Sequence, residues 1–280
     1  MRSGSNTSCA ALIAWALAAS PGATAADSNL TVGTTVEYTS GHYGGAISTE
    51  ILYIPVSAKY RAQPFTFGIT IPYIRITGPG NVVGGLTPIV RNNDDESESE
   101  HSAAAGAGTA GTPSTMTRTT HSGLGDAIAA MTYTAIDGGA QGLNLDVGGR
   151  IKFATADETR NLGTGKNDYA LQVDMDKPFG QFTPNAILGY RWMGDPATAD
   201  FRNIWYGTAG MAYRLGSSTS LSLDFDFGQA TVKTNAMARE LTLGLSHKFS
   251  ASSKLRVYAI KGLSDGSPDY GGGLSLYAYF

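Results

Sequence analysis

The sequence predicts an all-β chain folded as a single antiparallel transmembrane barrel of about twelve strands, of the outer-membrane type. Three observations carry this. First, segments of about ten residues alternate apolar and polar side chains, and a period of two puts each set on its own face of a strand. Leu143 to Phe153, Tyr169 to Asp176, Leu221 to Gly228 and Leu241 to Phe249 all follow this pattern, with His247 falling on the apolar side of the last. Second, the connections between segments alternate short and long, as the periplasmic turns and external loops of such barrels do. Third, Leu274, Leu276, Ala278 and Phe280 share one face of the final segment, which closes on an aromatic residue.

Taken in order, the twelve segments are 29–40, 47–60, 64–76, 126–136, 143–155, 168–177, 182–193, 203–215, 220–229, 238–249, 254–263 and 270–280. Pro55 and Pro72 fall inside the second and third. Each predicts a bulge, because proline cannot donate to a ladder. Tight connections are expected at 61–63, 137–139, 178–181, 216–219 and 250–253, and a long external low-complexity loop at about 77–125. With an even strand count both termini lie on the short-turn side. Tyr190, Trp192, Trp205, Tyr206 and Tyr213 suit interfacial aromatic girdles. Leu221, Leu223, Phe225, Leu241, Leu243, Leu245, Leu274 and Leu276 are expected to face lipid.

Residues 1–26 read as a secretory signal peptide and 27–280 as the barrel. Arg2 precedes the apolar stretch Ala10 to Ala19, and Ala23-Thr24-Ala25 gives a small-residue cleavage pattern. That stretch is about ten residues, whereas a spanning helix needs roughly 20. Cys9 leaves with this segment; its polar lead-in Asn6-Thr7-Ser8 argues against a lipoprotein anchor. The remaining chain has no thiol for a disulfide or a metal. It carries 19 basic and 23 acidic side chains, a net charge of −4, which gives no basic excess for nucleic acid. Without an apolar helix, a membrane can be crossed only by a closed barrel, in which every backbone group finds a partner.

Motifs of catalysis or cofactor binding do not hold. Gly106 to Gly111 matches a dinucleotide fingerprint in letters but lies in an Ala/Gly/Thr-rich loop, outside any βαβ unit. Gly163-Thr164-Gly165-Lys166 lacks the first glycine and the final Ser/Thr of a phosphate loop, with Arg160 and Asn167 in their places. The acidic run Asp94 to Glu100 lacks the spacing of a calcium loop and reads as a solvated loop. His42 and His101 are placed in loops, His121 before a glycine turn and His247 near a strand end, with no metal spacing. No catalytic residue, cofactor or metal is therefore expected.

The best functional candidates are charges on the inward face. Asp146, Arg150, Lys152, Asp174 and Arg191 are expected to line the lumen across strands five to seven, and Asp224, Asp226 and Glu240 across strands nine and ten. Asp176, Lys248 and Arg256 share that face. Because the acidic strand 168–177 lies between Arg150 and Arg191, cross-strand pairs are expected there. These charges read equally as a selectivity lining and as a network filling a narrow interior. Twelve strands about 4.8 Å apart and tilted about 40° give a backbone radius of about 12 Å, much of it taken up by side chains. Only small solutes would pass. The loop at 77–125 is long enough to plug the lumen, although its composition equally suits disorder.

Several stretches resemble the MetA-pathway phenol-degradation family of bacterial outer-membrane proteins, also described as transporters. They are Phe65 to Tyr73, Ile76 to Val82, Ser122 to Asp126, Lys152 to Ala156, Gly163 to Tyr169, Gly189-Tyr190-Arg191, Gly262 to Tyr270 and the terminal Phe280. Order and spacing agree over nearly all of the chain after the signal segment. Ala154 stands where that family usually has proline, and 91–121 looks like an extension. The resemblance implies a non-enzymatic outer-membrane channel of a Gram-negative bacterium for passive uptake of small molecules, with aromatic or hydrophobic compounds as cargo. The expected partners are outer-membrane lipid, a small-molecule solute, and the assembly machinery acting on Phe280. The alternatives are a barrel lipid hydrolase, and a secretion or adhesion barrel acting through its loops.

Overall fold

The computed structural model describes residues 29–79, 118–139, 142–196 and 200–280. Strands β1 (Leu30–Gly41), β2 (Thr49–Ala62), β3 (Phe65–Gly78), β4 (Thr119–Leu124), β5 (Ile128–Ile136), β6 (Asn144–Lys152) and β7 (Asp168–Asp176) form the first half. The second half is β8 (Phe182–Trp192), β9 (Ile204–Arg214), β10 (Thr219–Gly228), β11 (Ala238–Ser250), β12 (Ser253–Gly262) and β13 (Tyr270–Tyr279). Every ladder is antiparallel. The sheet runs from β2 through β1, β13 and back down the chain to β5 and β3, and a β2–β3 pairing closes it. The result is a closed barrel of twelve strands, in which β4 and β5 together take up one edge of β3.

β4 corrects the sequence reading, which placed 77–125 wholly in a loop. Thr77 and Gly78 belong to β3, and Thr119–Leu124 pairs with the outer part of β3, Tyr73–Gly78. β5 then takes the inner part, Phe65–Thr70. At the junction, Gly125 N–H donates to the Pro72 carbonyl at 2.8 Å. A side chain at Gly125 would press on the side chains of Ile74 and Pro72, which glycine leaves undisturbed. His121, expected before a glycine turn, lies within β4. The central part of the expected loop, the Gly106 motif, the acidic run and the signal segment lie outside the described residues.

The prolines do not make the expected bulges. Pro55 and Pro72 are register partners in an unshifted β2–β3 ladder. On the other side of β2, the Thr34 hydroxyl donates to the Pro55 carbonyl at 3.0 Å. The register holds across the Pro55–Pro72 pair with no inserted residue. The irregularities fall instead at Thr134/Ile136 and Lys248/Ser250.

Short turns join β2 to β3, β5 to β6, β7 to β8, β9 to β10 and β11 to β12, while the other connections gather at the opposite end. β1 begins and β13 ends on the short-turn side, where Leu30 and Phe280 exchange backbone hydrogen bonds of 3.1 and 2.8 Å. Alternation decides which way each side chain faces. Leu221, Leu223, Phe225, Leu241, Leu243, Leu245 and Leu274 are exposed on the outside, and Leu276 is partly so. Aromatic contacts mark both ends of this belt. Tyr190 packs on Trp192 and Trp205 near the long loops, and Phe182–Tyr213 and Phe65–Tyr133 pack near the short turns. Tyr206 is a correction: one residue beyond Trp205, it takes the opposite face and is buried inside, 3 % exposed.

Candidate functional site: the charged interior

All eight expected lumen residues point into the barrel and are buried. Asp146, Arg150, Lys152, Asp174 and Arg191 lie on β6, β7 and β8, and Asp224, Asp226 and Glu240 on β10 and β11. Asp176 and Arg256 are buried with them, whereas Lys248, next to the β11 bulge, is only half-buried. The buried charges comprise nine carboxylates and five basic groups among the described residues. The interior is therefore acidic on balance. It is also tightly filled, since these side chains are shielded even from solvent inside the barrel.

The structure refines the expected pairing. Register places Asp146 directly opposite Asp174, and Ala170 opposite both Arg150 and Arg191. A directly opposed ion pair is that of Lys152 with Asp168, at 3.0 Å. Lys152 also reaches Asp126 at 2.9 Å. Asp126, at the break between β4 and β5, accepts backbone N–H bonds from Thr155 (3.1 Å) and Ala156 (2.9 Å). One lysine and two carboxylates thus fasten the connection 153–167 to the barrel wall.

Sequence reasoning missed the part played by tyrosine and glycine. Tyr206, Tyr258 and Tyr277 point inward, and their register partners on the next strand are Gly189, Gly273 and Gly33. A Cβ at any of these glycines would collide with the tyrosine ring, so each ring lies across bare backbone. Two of the rings hold arginines: the Arg191 and Arg256 guanidiniums each lie 5.2 Å from a ring centroid, Tyr206 and Tyr258 respectively.

Hydrogen bonds extend these stacks. Arg150 Nη2 donates to Tyr206 Oη at 3.3 Å, Tyr206 Oη to Gln172 Oε1 at 2.9 Å, and Gln172 Nε2 to Asp174 Oδ1 at 2.6 Å. On the other wall, Tyr258 Oη donates to Glu37 Oε2 at 2.5 Å, Thr208 Oγ1 to Asp226 Oδ1 at 2.6 Å, and Arg256 lies 3.7 Å from Asp224. Glu37, Asp168, Gln172 and Lys254 were not singled out from the sequence. Glu37 alternates with Val36 and Tyr38 in β1, so the period-two signal that found Asp224 was present there as well.

The mouth on the long-loop side is packed by connections. Tyr43, between β1 and β2, is buried with Ile51, Tyr53, Ile74 and Ile76 and has a left-handed backbone (φ 49°). Burial pushes its phenol pKa upward, and nearby Glu240, Glu37 and Asp269 add to this. Leu162 is buried beside Gly123 of β4. At the surface, His42 contacts Asp269 at 2.7 Å, and His247 contacts the Thr219 hydroxyl at 2.8 Å. Among the described residues, no group of three or more His, Cys, Asp or Glu side chains is arranged to hold a metal ion.

Comparison with known structures agrees on the fold. The COG4313 outer membrane channel from Pseudomonas putida F1 superposes with a TM-score of 0.62 at 14% identity, covering 94% of this chain and all of that one. The NanC porin superposes with a TM-score of 0.50 at 10% identity, covering 89% of this chain and 98% of the porin. The sequence matches no curated protein. A family model described as "Protein of unknown function (DUF3187)" matches residues 101–280, well over half of the chain. With an interior-charged, twelve-stranded barrel as its structure, the chain belongs to the DUF3187 family.

Proposed function

We propose that the protein resides in the outer membrane of a Gram-negative bacterium and passes small polar or cationic solutes by passive diffusion. The observation that carries this is an inverted barrel: leucines and aromatics outside, carboxylates and guanidiniums inside, on a ring with no open edge. In water, so large an apolar exterior would be an aggregation surface. In hydrocarbon it faces its natural solvent, and aromatic contacts stand where girdles belong. The partners this reading entails are outer-membrane lipid around the belt, a small solute within, and the assembly machinery acting on Phe280. Residues 1–26 would be the export signal, removed before assembly.

Filled walls set the permeation mechanism. A solute must displace Tyr43 and Leu162 at the mouth and then move along the Arg150–Tyr206–Gln172–Asp174 chain or the Glu37–Tyr258 side. An excess of carboxylates favours cations over anions along that route. A second reading takes its cargo from the phenol-degradation resemblance. What favours it is the set of inward ring faces at Tyr206, Tyr258 and Tyr277, on which a small aromatic could stack. The hydrolase alternative gains nothing from His42 and His247, whose partners are Asp269 and the Thr219 hydroxyl rather than a serine.

Swelling of liposomes containing the purified protein, with solutes graded by size and charge, tests this. Small amines, neutral amino acids and phenol should enter at rates falling steeply with size. No swelling with any solute, together with hydrolysis of the vesicle lipid, would overturn the channel reading.

A further inference from the structure

The outward face at the long-loop end is not evenly apolar. On β7 to β9 it shows Tyr169, Trp192 and Trp205, all exposed. On β11 and β12 it shows two exposed bases, Arg239 and Lys261. Arg239 is the second residue of β11 and Lys261 the last but one of β12, so both sit close to the rim. Lys261 stands opposite Leu241, two residues along from Arg239. Alternation therefore makes the bases diagonal neighbours on one face, about 7–8 Å apart at the backbone and within reach of each other's side chains.

Among the described residues, neither base makes an ion pair. Arg239 is engaged through its backbone, by Ser267 and Leu263, and its guanidinium makes no hydrogen bond there. The Lys261 ammonium donates to the Asp269 carbonyl at 2.9 Å, a neutral partner that leaves two protons for others. The nearby acids are taken: His42 holds the Asp269 carboxylate at 2.7 Å, and Arg118 holds Glu50, outward on β2, at 2.7 Å. Tyr270, exposed and the register partner of Lys261, adds a hydroxyl beside the pair. Toward the middle of the barrel the next outward partners are Ala259 and Gly272, followed by Val257 and Leu274. Gly33, Gly189 and Gly273 lie under tyrosine rings, but the nearest atoms to a Cβ at Gly272 would be backbone. A shallow apolar trough thus runs down the outer wall directly below two bases and a phenol.

We infer that Arg239, Lys261 and Tyr270 bind the phosphate groups of a phosphorylated glycolipid of the outer leaflet, with an acyl chain lying along Ala259 and Gly272. The inference rests on the outer-membrane reading above, which puts the long loops outside and this rim at the level of the outer head groups. A guanidinium forks two phosphate oxygens, and an ammonium adds a point charge beside it. A lipid with two phosphates offers each base its own anion, whereas a phospholipid offers one between them.

Native mass spectrometry of the purified protein in detergent, titrated with diphosphoryl lipid A, reads binding independently of conduction. A single saturable adduct is expected, with dephosphorylated lipid A and phosphatidylglycerol binding roughly tenfold more weakly or less. Changing Arg239→Gln and Lys261→Gln together should weaken it roughly tenfold or more, as loss of charged hydrogen bonds does. Arg75→Gln, which removes an exposed outward base on β3 at the same end, should leave it unchanged. These changes leave the interior intact, and heat-dependent gel mobility reports the folded barrel in each. Equal binding by the double variant, an equal loss from Arg75→Gln, or equal binding of phosphatidylglycerol overturns the site. Density-gradient fractionation of cell membranes reads location separately: a protein in the outer-membrane fraction without saturable binding loses the site and keeps the channel reading. Binding that needs Arg239 and Lys261, in a protein that allows no liposome swelling, upholds the site and discards the channel.

Discussion

Replacing Leu243 by arginine tests the outward assignment at the depth where it matters most. Leu243 is 52 % exposed and lies five residues into β11 from the long-loop end. At about 3.3 Å per residue and a tilt of about 40°, that is roughly 13 Å below the rim, near the middle of an apolar band about 25 Å tall. Its register partners are Leu223 and Ala259, which offer no counter-charge. An arginine there should cost about 2–4 kcal/mol, whereas the same change at Leu263, just beyond the end of β12, should cost about 0–1 kcal/mol. Equilibrium unfolding by denaturant in phosphatidylcholine vesicles measures both. Equal costs at the two positions, or no cost at Leu243, would refute the placement of this face in lipid.

Other consequences can be checked separately. Neutralising the acidic wall with Asp224→Asn and Asp226→Asn should reduce the cation-to-anion permeability ratio of the folded protein; an unchanged ratio would make these residues purely structural. Arg256→Met leaves Asp224 without the base 3.7 Å away and should cost about 3–5 kcal/mol, much of it regained with Asp224→Asn, as a double-mutant cycle would show. Gly189→Val should force the Tyr206 ring off the wall and cost about 1–3 kcal/mol, partly relieved by Tyr206→Ala, measured by the same unfolding assay. Lys152→Met removes the cation shared by Asp126 and Asp168, and limited proteolysis should then cut 153–167 faster than in the unmodified protein.

The barrel was legible because alternation is a strong signal wherever both faces are chemically distinct. Leu221 to Gly228 and Leu241 to Phe249 could be assigned by face, and the expected inward charges Asp224 and Asp226 proved buried, while Lys248 beside the β11 bulge is half-buried. Where side chains are ambiguous the signal weakens. Trp205 and Tyr206 both suit a girdle by composition, and only strict parity sends Tyr206 inside. β4 was hidden because Thr119-Thr120-His121-Ser122-Gly123 has no apolar stripe, and its pairing with β3 is imposed by proximity. Charge pairing was the least legible. Neighbouring strands predicted cross-strand pairs with 168–177, but only register shows that Ala170 stands opposite both Arg150 and Arg191 and that Lys152 stands opposite Asp168. The tyrosine–glycine pairs needed that same register, since a lone glycine in a strand reads as a defect until the ring lying on it is known.

The most direct test of the account is the reversal potential of the purified protein in a planar bilayer separating unequal concentrations of potassium chloride. An interior with nine buried carboxylates and five basic groups among the described residues predicts a measurable conductance, with a potential of the sign set by potassium. The selectivity should fall when Asp224 and Asp226 are both changed to asparagine. A potential of the chloride sign, or a bilayer that stays silent with correctly folded protein inserted, would contradict it.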